Sequence, residues 1–276
     1  MVVVDDLSQC LVPDGLWVLV EPLLPKFEAR RQGGGTAPVD ERAVFTAVVF
    51  VLTSGCAWRM LAPLFRGTVP TAHRRFTVWT EAGLWRRLHR AVLNELGSQG
   101  LIDWSRAVID AASVRAKKRG DMTGPSPFDR GKSGSKIHML SDRVGLPLAV
   151  GISVANTNNA HALRPLVRVI PAVRSRRGPR RRRPAKLHAD KAYDYTELRR
   201  WIRDRGISVR IARKGIESSD RLGLHRWVIE RTISYHTGYH RLKIRYDRKA
   251  THFLGFLTLA AALTGYKKLA QAKSAT

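Results

Sequence analysis

Three carboxylates in the second half of the chain have the types and positions that metal chemistry requires. Asp110 lies inside the apolar run VIDAA, Asp190 follows LHA, and Glu230 lies in the basic stretch HRWVIERTISYHTGYHRL at 225–242. Mg²⁺ prefers oxygen ligands of this kind. Two such ions about 3.5–4 Å apart can activate an attacking hydroxyl and stabilise the leaving oxygen of a phosphodiester. If the three converge, Asp110, Asp190 and Glu230 are predicted to bind metal and to catalyse a reaction on phosphodiesters.

The elements around these acids predict how they would converge. Five runs are strand-like, and the first, RAVIDAASV at 106–114, contains Asp110; the others are KIHMLSD, LPLAVGISV, AKLHADKAY and SVRIARK. Three strands in succession followed by strands that alternate with helices predict a mixed α/β sheet with helices on its faces. The first and fourth strands can be neighbours in such a sheet, where ligands gather at the carboxyl ends of strands. His188 lies two residues before Asp190 on the same strand face and is predicted to line the site.

Glu230 is predicted to lie on a helix at about 221–241. At about 100° per residue, Arg226 and Arg241 fall on the same face of this helix as Glu230, so both are predicted to support the site. A plain i, i+4 ion pair between Arg226 and Glu230 is the alternative for this glutamate. The two aspartates make metal binding the favoured interpretation.

The charge balance predicts a polyanionic partner. The chain has 49 Lys and Arg against 22 Asp and Glu, a net charge of +27 and a pI of about 11.3. This predicts attraction to nucleic acid, with an anionic membrane surface as the rival. The apolar stretch LGFLTLAAAL is too short to span a bilayer, and the start MVVVDDLSQC is acidic where a signal peptide is basic. Cys10 and Cys56 form no CxxC pair, so we expect a reduced, cytoplasmic setting. The strongly basic charge favours double-stranded DNA as the partner.

Residues 1–100 are predicted to form a smaller, all-helical N-terminal DNA-binding domain. The patterns TAHRRFTVWTEAG and LWRRLHRAVLNEL predict two helices joined by a turn at Gly83, which is typical of a helix-turn-helix unit; a solvated basic surface is the alternative. Further contacts to DNA are expected from the GKSGSK stretch and from a mobile polycationic loop at 174–186. The predicted DNA-binding side chains, expected on outer faces and in loops, are Arg74, Arg75, Arg86, Arg87, Lys132, Lys136, Arg180 and Arg181.

Several motifs resemble those of DDE-type transposases of bacterial insertion sequences, in the group named after insertion sequence five. They are LWVLVEPLLP, LTSGCAWRML and RRFTVWTEAGLW near the start, then VIDAASVRA, DRGKSGSKIHMLSD, LHADKAYD and RWVIERTISY. The resemblance runs nearly end to end, and the glutamate motif is its most specific part. The chain departs from the group's pattern at Gly223, where a tyrosine is common, and at Thr237, where a basic residue is usual.

The resemblance implies a fold, a reaction and partners. Residues 104–276 would form a ribonuclease-H-like mixed sheet with flanking helices, with the triad Asp110, Asp190 and Glu230 holding two Mg²⁺ or Mn²⁺ ions. Water would expose a 3′-OH at an element end, and that 3′-OH would attack target DNA directly. The DNA partners would be the terminal inverted repeats and the target. A homodimer or larger assembly would join two ends, in the bacterial cytoplasm and associated with the nucleoid.

Two other functions stay open on the residues alone. A non-catalytic DNA-binding protein, either architectural or a decayed copy, would bind DNA with a steep salt dependence and would not need the carboxylates. A metal-dependent nuclease would cut DNA without joining it. The residues themselves support metal-dependent phosphodiester chemistry, whereas the order of the steps comes from the resemblance.

Overall fold

Five α-helices precede the sheet in the residues that are described. A computed structural model describes residues 2–26, 40–61, 69–213 and 238–274. The Asp40 side chain accepts a hydrogen bond from the Arg42 amide at 2.9 Å and caps the third helix, which ends where Gly55 adopts a φ of 72°. Gly83, with a φ of 71°, turns the chain between the fourth and fifth helices, which confirms the predicted turn. The helices are α1 Val2–Leu11, α2 Asp14–Val20, α3 Glu41–Ser54, α4 Val69–Glu81 and α5 Leu84–Ser98.

The sheet is mixed, and its first strand lies at the centre. β1 pairs antiparallel with β3 and parallel with β5; β3 pairs antiparallel with β4, and β5 pairs parallel with β6. The main order is β4-β3-β1-β5-β6, with the short β2 on β3 and the short β7 on β1. The predicted mixed sheet, with its first and fourth predicted strands as neighbours, is confirmed. The strands are β1 Ala107–Ala116, β2 Gly124–Pro125, β3 Ser133–Asp142, β4 Pro147–Val154, β5 Lys186–Ala189, β6 Ser208–Ile211 and β7 Ile244–Arg245.

Four further helices follow β4 in the described residues. They are α6 Ala160–Val169, α7 Thr196–Arg203, α8 His240–Lys243 and α9 Ala250–Ser274. Most of the predicted helix at about 221–241 lies outside the described residues, which resume at 238. Tyr239 has extended backbone angles, φ −72° and ψ 107°, and α8 begins only after it. The prediction of a helix continuous to 241 is therefore wrong at that end. No helix in the described ranges has both the length and the apolar character needed to cross a membrane.

The buried core joins the N-terminal helices to the sheet. One apolar cluster contains residues from α3, α4, α5, the central strands and α9. Phe76 of α4 stacks on Phe256 of α9 with ring centroids 4.3 Å apart, and Trp58 lies 6.0 Å from the same ring. α9 thus belongs to the second half of the chain but buries its aromatic face against the first. The division into domains at 1–100 and 104–276 stays a prediction, and the core is continuous across it.

Candidate active site

The strand register places Asp110 and Asp190 side by side. β1 and β5 run parallel, with Ala107 opposite Leu187 and Val108 opposite His188. Each aspartate lies two residues beyond the second of these pairs. Because alternate residues of a strand face the same side, the two carboxylates are level and project from one face of the sheet. His188 shares that face and is half-buried, and its role in lining the site stays a prediction.

Backbone hydrogen bonds orient both carboxylates. Asp110 is buried, with 8% of its surface exposed, and its Oδ1 accepts a hydrogen bond from the Ala111 amide at 2.7 Å. Asp190 is half-buried, and its Oδ1 accepts a hydrogen bond from the Ala192 amide at 2.9 Å, which begins a short 3₁₀ turn. Each acid therefore has one oxygen bonded to the backbone, an arrangement that fixes its direction before any ligand arrives.

The turn after Asp190 is anchored to its neighbours by an arginine. Arg199 of α7 donates from Nε to Asp194 Oδ1 at 2.7 Å and from Nη2 to the Ile211 carbonyl at 2.9 Å. The side chains of the pair are only 15% and 18% exposed. Arg199 therefore ties the turn after Asp190 to the end of β6. This positioning role was not predicted from the sequence, although the spacing of Asp194 and Arg199 across a helix start is a local signal that could have suggested it.

Tyr193 is a second residue that sequence reasoning missed. Its side chain is fully buried, and its hydroxyl has no hydrogen-bond partner among the described residues. Burial raises the pKa of this phenol, and the negative charges of Asp110 and Asp190 raise it further, so the hydroxyl lies within the field of both carboxylates. A buried hydroxyl without a partner is costly. Its position three residues after Asp190, in LHADKAYD, was the available signal.

This donor set fits a hard divalent cation. Two carboxylates on one face supply the oxygen ligands that Mg²⁺ and Mn²⁺ prefer. The unsatisfied Tyr193 hydroxyl beside them is a donor that an oxygen ligand of such an ion could accept from. Within the described residues no group of three or more His, Cys, Asp and Glu is close enough to hold a metal. Glu230, its neighbour Arg226, and the departures Gly223 and Thr237 all lie outside those residues, so the third ligand stays a prediction.

Arg241, which is predicted to support the site, has a buried side chain. Its side chain is 5% exposed and forms an ion pair with Asp247, with Nη2 to Oδ1 at 2.9 Å and Nε to Oδ2 at 3.2 Å. Its Nη1 donates to the Cys56 carbonyl at 3.1 Å. The helix that carries Arg241 begins only after Tyr239, and its guanidinium lies in the interior. Because Glu230 lies outside the described residues, the supporting role of Arg241 stays a prediction.

Two of the predicted DNA contacts are buried instead. Arg75 is 8% exposed and pairs with Glu41 at 3.0 Å, because it lies on the same stripe of α4 as Ala72 and Trp79. Lys136 is also 8% exposed, and its Nζ donates to the Thr157 carbonyl at 2.6 Å. Placing these two side chains on the outer surface was wrong. Residues from the set that are exposed are Arg74, Arg86, Arg87, Lys132, Arg180 and Arg181.

The basic run at 174–186 folds back on the protein as a loop. Val173 and Arg181 exchange two backbone hydrogen bonds of 2.8 and 2.9 Å. The Arg180 Nη1 donates to Asn94 Oδ1 of α5 at 3.2 Å and to the Ala172 carbonyl at 3.0 Å. The expected polycationic loop is present up to Lys186, where β5 begins. Its contacts show a defined path against α5, which the sequence did not predict.

Two family models match the chain. "Putative transposase of IS4/5 family" matches residues 12–89. "Transposase DDE domain" matches residues 105–264, more than half of the 276 residues. The chain belongs to the DDE transposase family. This confirms the resemblance and the prediction of an enzyme that acts as a DNA transposase. Membership also implies the use of a divalent metal.

This transposase is also similar to individual proteins from insertion elements and to a solved transposase structure. It is 41% identical over 150 residues to "Putative transposase for insertion sequence element IS402" of Burkholderia cepacia, over 54% of this chain and 71% of that protein. It is also 41% identical over 123 residues to "Insertion element IS402 uncharacterized 16.2 kDa protein" of the same organism, over 44% of this chain and 84% of that protein. A solved piggyBac transposase synaptic complex with hairpin DNA gives a TM-score of 0.45 at 10% identity, covering 97% of this chain and 75% of that one.

Proposed function

We propose that this transposase binds the terminal inverted repeats of its element and performs both hydrolysis and strand transfer at one site, built on Asp110, Asp190 and Glu230. The level, same-face position of the two aspartates on β1 and β5 is the observation that supports it most. Glu230 is assigned from its motif. Two Mg²⁺ or Mn²⁺ ions held by these carboxylates would activate the attacking oxygen and stabilise the leaving oxygen of the phosphodiester.

The protein's own part in this reaction is to hold the acids in place. Asp110 is fixed in the central strand and Asp190 at the start of a hydrogen-bonded turn, so little reorganisation is needed when DNA binds. Arg199 fixes that turn through Asp194. Tyr193 is buried within the electrostatic field of both carboxylates, and its hydroxyl would be available to donate a hydrogen bond near the site. No serine or tyrosine nucleophile is required, because the 3′-OH of the DNA attacks directly.

The basic surface would carry the DNA. The exposed Arg74, Arg86 and Arg87 on α4 and α5 would contact the phosphates of the element ends, and the exposed Lys132 would contact a nearby phosphate. Joining needs two ends in one complex, so the active form would be a homodimer or a larger assembly. Its place of action would be the nucleoid, where the target DNA lies.

The test combines metal dependence with matched variants. Purified protein is mixed with a labelled duplex carrying the element's ends and with supercoiled plasmid, in Mg²⁺, in Mn²⁺ and in EDTA. Asp190→Asn and Glu230→Gln should each lose end nicking and strand joining while DNA binding persists. Glu197→Gln is the control, because Glu197 is an exposed acid on α7, with its side chain 88% exposed. Electron paramagnetic resonance of Mn²⁺ should show weaker binding only in the two site variants.

Each other result assigns a different function. Cutting of ends without joining would indicate a nuclease. Tight, salt-dependent binding without cutting by the wild type in either metal would indicate a non-catalytic DNA-binding protein. Loss of cutting in Glu197→Gln as well would show that the assay reports overall charge or folding and not the proposed site.

A further inference from the structure

A cleft lined almost entirely by arginines lies beside the sheet, away from the carboxylates. Its volume is about 600 Å³, and it is formed by α6, the basic loop before β5 and the turn that follows α7. Six of its eight lining residues are arginines. The lining residues are Val167, Arg168, Arg180, Arg181, Arg182, Arg183, Arg205 and Ile207.

Among the described residues, no carboxylate compensates the charges of this arginine cleft. In the described part of the chain, none of the six arginines forms an ion pair with a carboxylate within 4.0 Å. The ion pair closest along the chain, Arg164 with Glu197 at 3.5 Å, involves residues outside the cleft lining. Guanidinium groups gathered in a concave surface without acids raise the local positive potential, and an anion in the cleft would relieve their mutual repulsion.

Neutral acceptors hold these guanidinium groups in position. Arg182 donates from Nη2 to the Arg168 carbonyl at 2.8 Å, and Arg183 donates from Nη1 to the Arg205 carbonyl at 3.2 Å. The guanidinium carbon of Arg205 lies 3.6 Å from the centroid of the Trp201 ring. Each of these arginines keeps N–H groups beyond the single bond it makes here, and a guanidinium can present two of them to a phosphate in parallel. The cleft is therefore organised before a ligand binds.

The topology separates the cleft from the catalytic edge. Arg183 precedes the amino end of β5 and Ile207 precedes the amino end of β6, whereas Asp190 follows the carboxyl end of β5. The four residues of β5, at about 3.3 Å per residue, place about 13 Å of strand between the two ends. A phosphate in the cleft is therefore a different phosphate from the one held at the aspartates, about four or more base pairs away along a duplex at about 3.4 Å per step.

We propose that the arginine cleft binds the phosphate backbone of DNA at a segment remote from the scissile phosphodiester. The proposal rests on the proposed function for the identity of its polyanion. The segment belongs either to the inner part of the element end or to the target duplex, since both present the same phosphate chemistry. Each arginine contact releases counterions, so the cleft should contribute strongly to the salt dependence of DNA binding and not to base specificity.

The test removes two charges from the cleft and two from the same loop outside it. Arg182→Gln/Arg183→Gln keeps N–H donors for the two carbonyls and removes the charges. Arg176→Gln/Arg177→Gln is the control, because these exposed arginines lie in the same loop but do not line the cleft. Fluorescence anisotropy in EDTA measures binding to an element-end duplex and to a random duplex between about 50 and 200 mM KCl. The cleft variant should lower the slope of log affinity against log salt by about 1.8, at about 0.9 per lost contact.

The pattern of loss identifies the DNA segment. A smaller slope on the end duplex alone assigns the cleft to the element end, and a smaller slope on the random duplex assigns it to the target. Equal slopes for the cleft variant and the control on both duplexes would overturn the proposal. A second result would also overturn the proposal: inorganic phosphate binds the wild type but not the cleft variant, while both proteins bind DNA equally well. That result would indicate a site for small anions. Binding in EDTA needs no catalysis. Failure to cut DNA would therefore refute the proposed function, but the salt dependence of binding would still test the arginine cleft.

Should the double variant fail to fold, Arg168→Gln on α6 tests the same cleft from a different element by the same measurement of salt dependence. One lost contact should lower the slope by about 0.9. An unchanged slope on both duplexes would overturn the proposal in this case too.

Discussion

Replacing Asp247 by asparagine should destabilise the fold, because Asp247 neutralises the buried Arg241. The two side chains are 6% and 5% exposed and share two hydrogen bonds. In Asp247→Asn, the Arg241 charge would keep an amide oxygen and the Cys56 carbonyl as acceptors but no counter-charge. Breaking a buried pair from one side costs about 3–5 kcal/mol. Because the amide oxygen is retained as an acceptor, the free energy of unfolding should fall by about 3 kcal/mol, which corresponds to roughly 6–12 °C in thermal midpoint.

Thermal and denaturant unfolding followed by circular dichroism would measure this loss. Glu197→Gln, which removes an exposed ion pair with Arg164, should melt close to the wild type. The double variant Arg241→Leu/Asp247→Leu should lose less stability than Asp247→Asn, because it leaves no charge unpaired. A midpoint for Asp247→Asn within 1–2 °C of the wild type, taken as about the error of the method, would refute the reasoning that the pair stabilises the interior.

Three further outcomes follow from buried groups. His89 is buried, and burial lowers its pKa to about 4. The unfolded chain therefore binds more protons than the folded chain between about pH 6.5 and 4, so stability should decrease as the pH falls through that window, and a smaller decrease in His89→Gln by denaturant midpoints would confirm it. Tyr193→Phe removes a buried hydroxyl without a described partner, so the unfolding free energy should be unchanged or raised by about 1–3 kcal/mol, and a loss of stability would contradict that. Gly97→Ala would push a Cβ onto the Arg174 carbonyl oxygen and should cost about 1–3 kcal/mol in calorimetry, whereas an unchanged midpoint would show that the contact yields.

The sheet could be predicted from the sequence because its signals are local. Strand-like runs broken by short turns set the antiparallel half, and helices between the later strands require parallel pairing. That order by itself allows the strands of Asp110 and Asp190 to be neighbours. Their level register could not be predicted, since it depends on how β5 aligns with β1 and not on either strand alone.

Charged residues were the main source of error, because a charge was assumed to mean exposure. Arg75 had a local signal against this assumption, since it falls on the apolar stripe of α4. Lys136 and Arg241 had no local sequence signal of burial. Their acceptors, the Thr157 carbonyl and Asp247, are brought close only by the tertiary fold. The basic loop that supplies residues 180–183 was predicted to contact DNA, but the cleft was not predicted, because Arg168 and Arg205, which complete it, lie on elements distant in sequence from the loop.

The stacking of Phe76 on Phe256 means that the N-terminal core can be completed only late in translation. Phe256 is translated about 180 residues after Phe76, which at about 5–20 residues per second is a delay of roughly 9–36 s. Until then the aromatic surface that includes Trp58 has no cover from α9. A nascent chain should therefore carry an unfinished N-terminal region that chaperones can recognise, and ribosome-bound chains stalled before residue 250 should be cleaved by protease in that region, whereas released chains should resist.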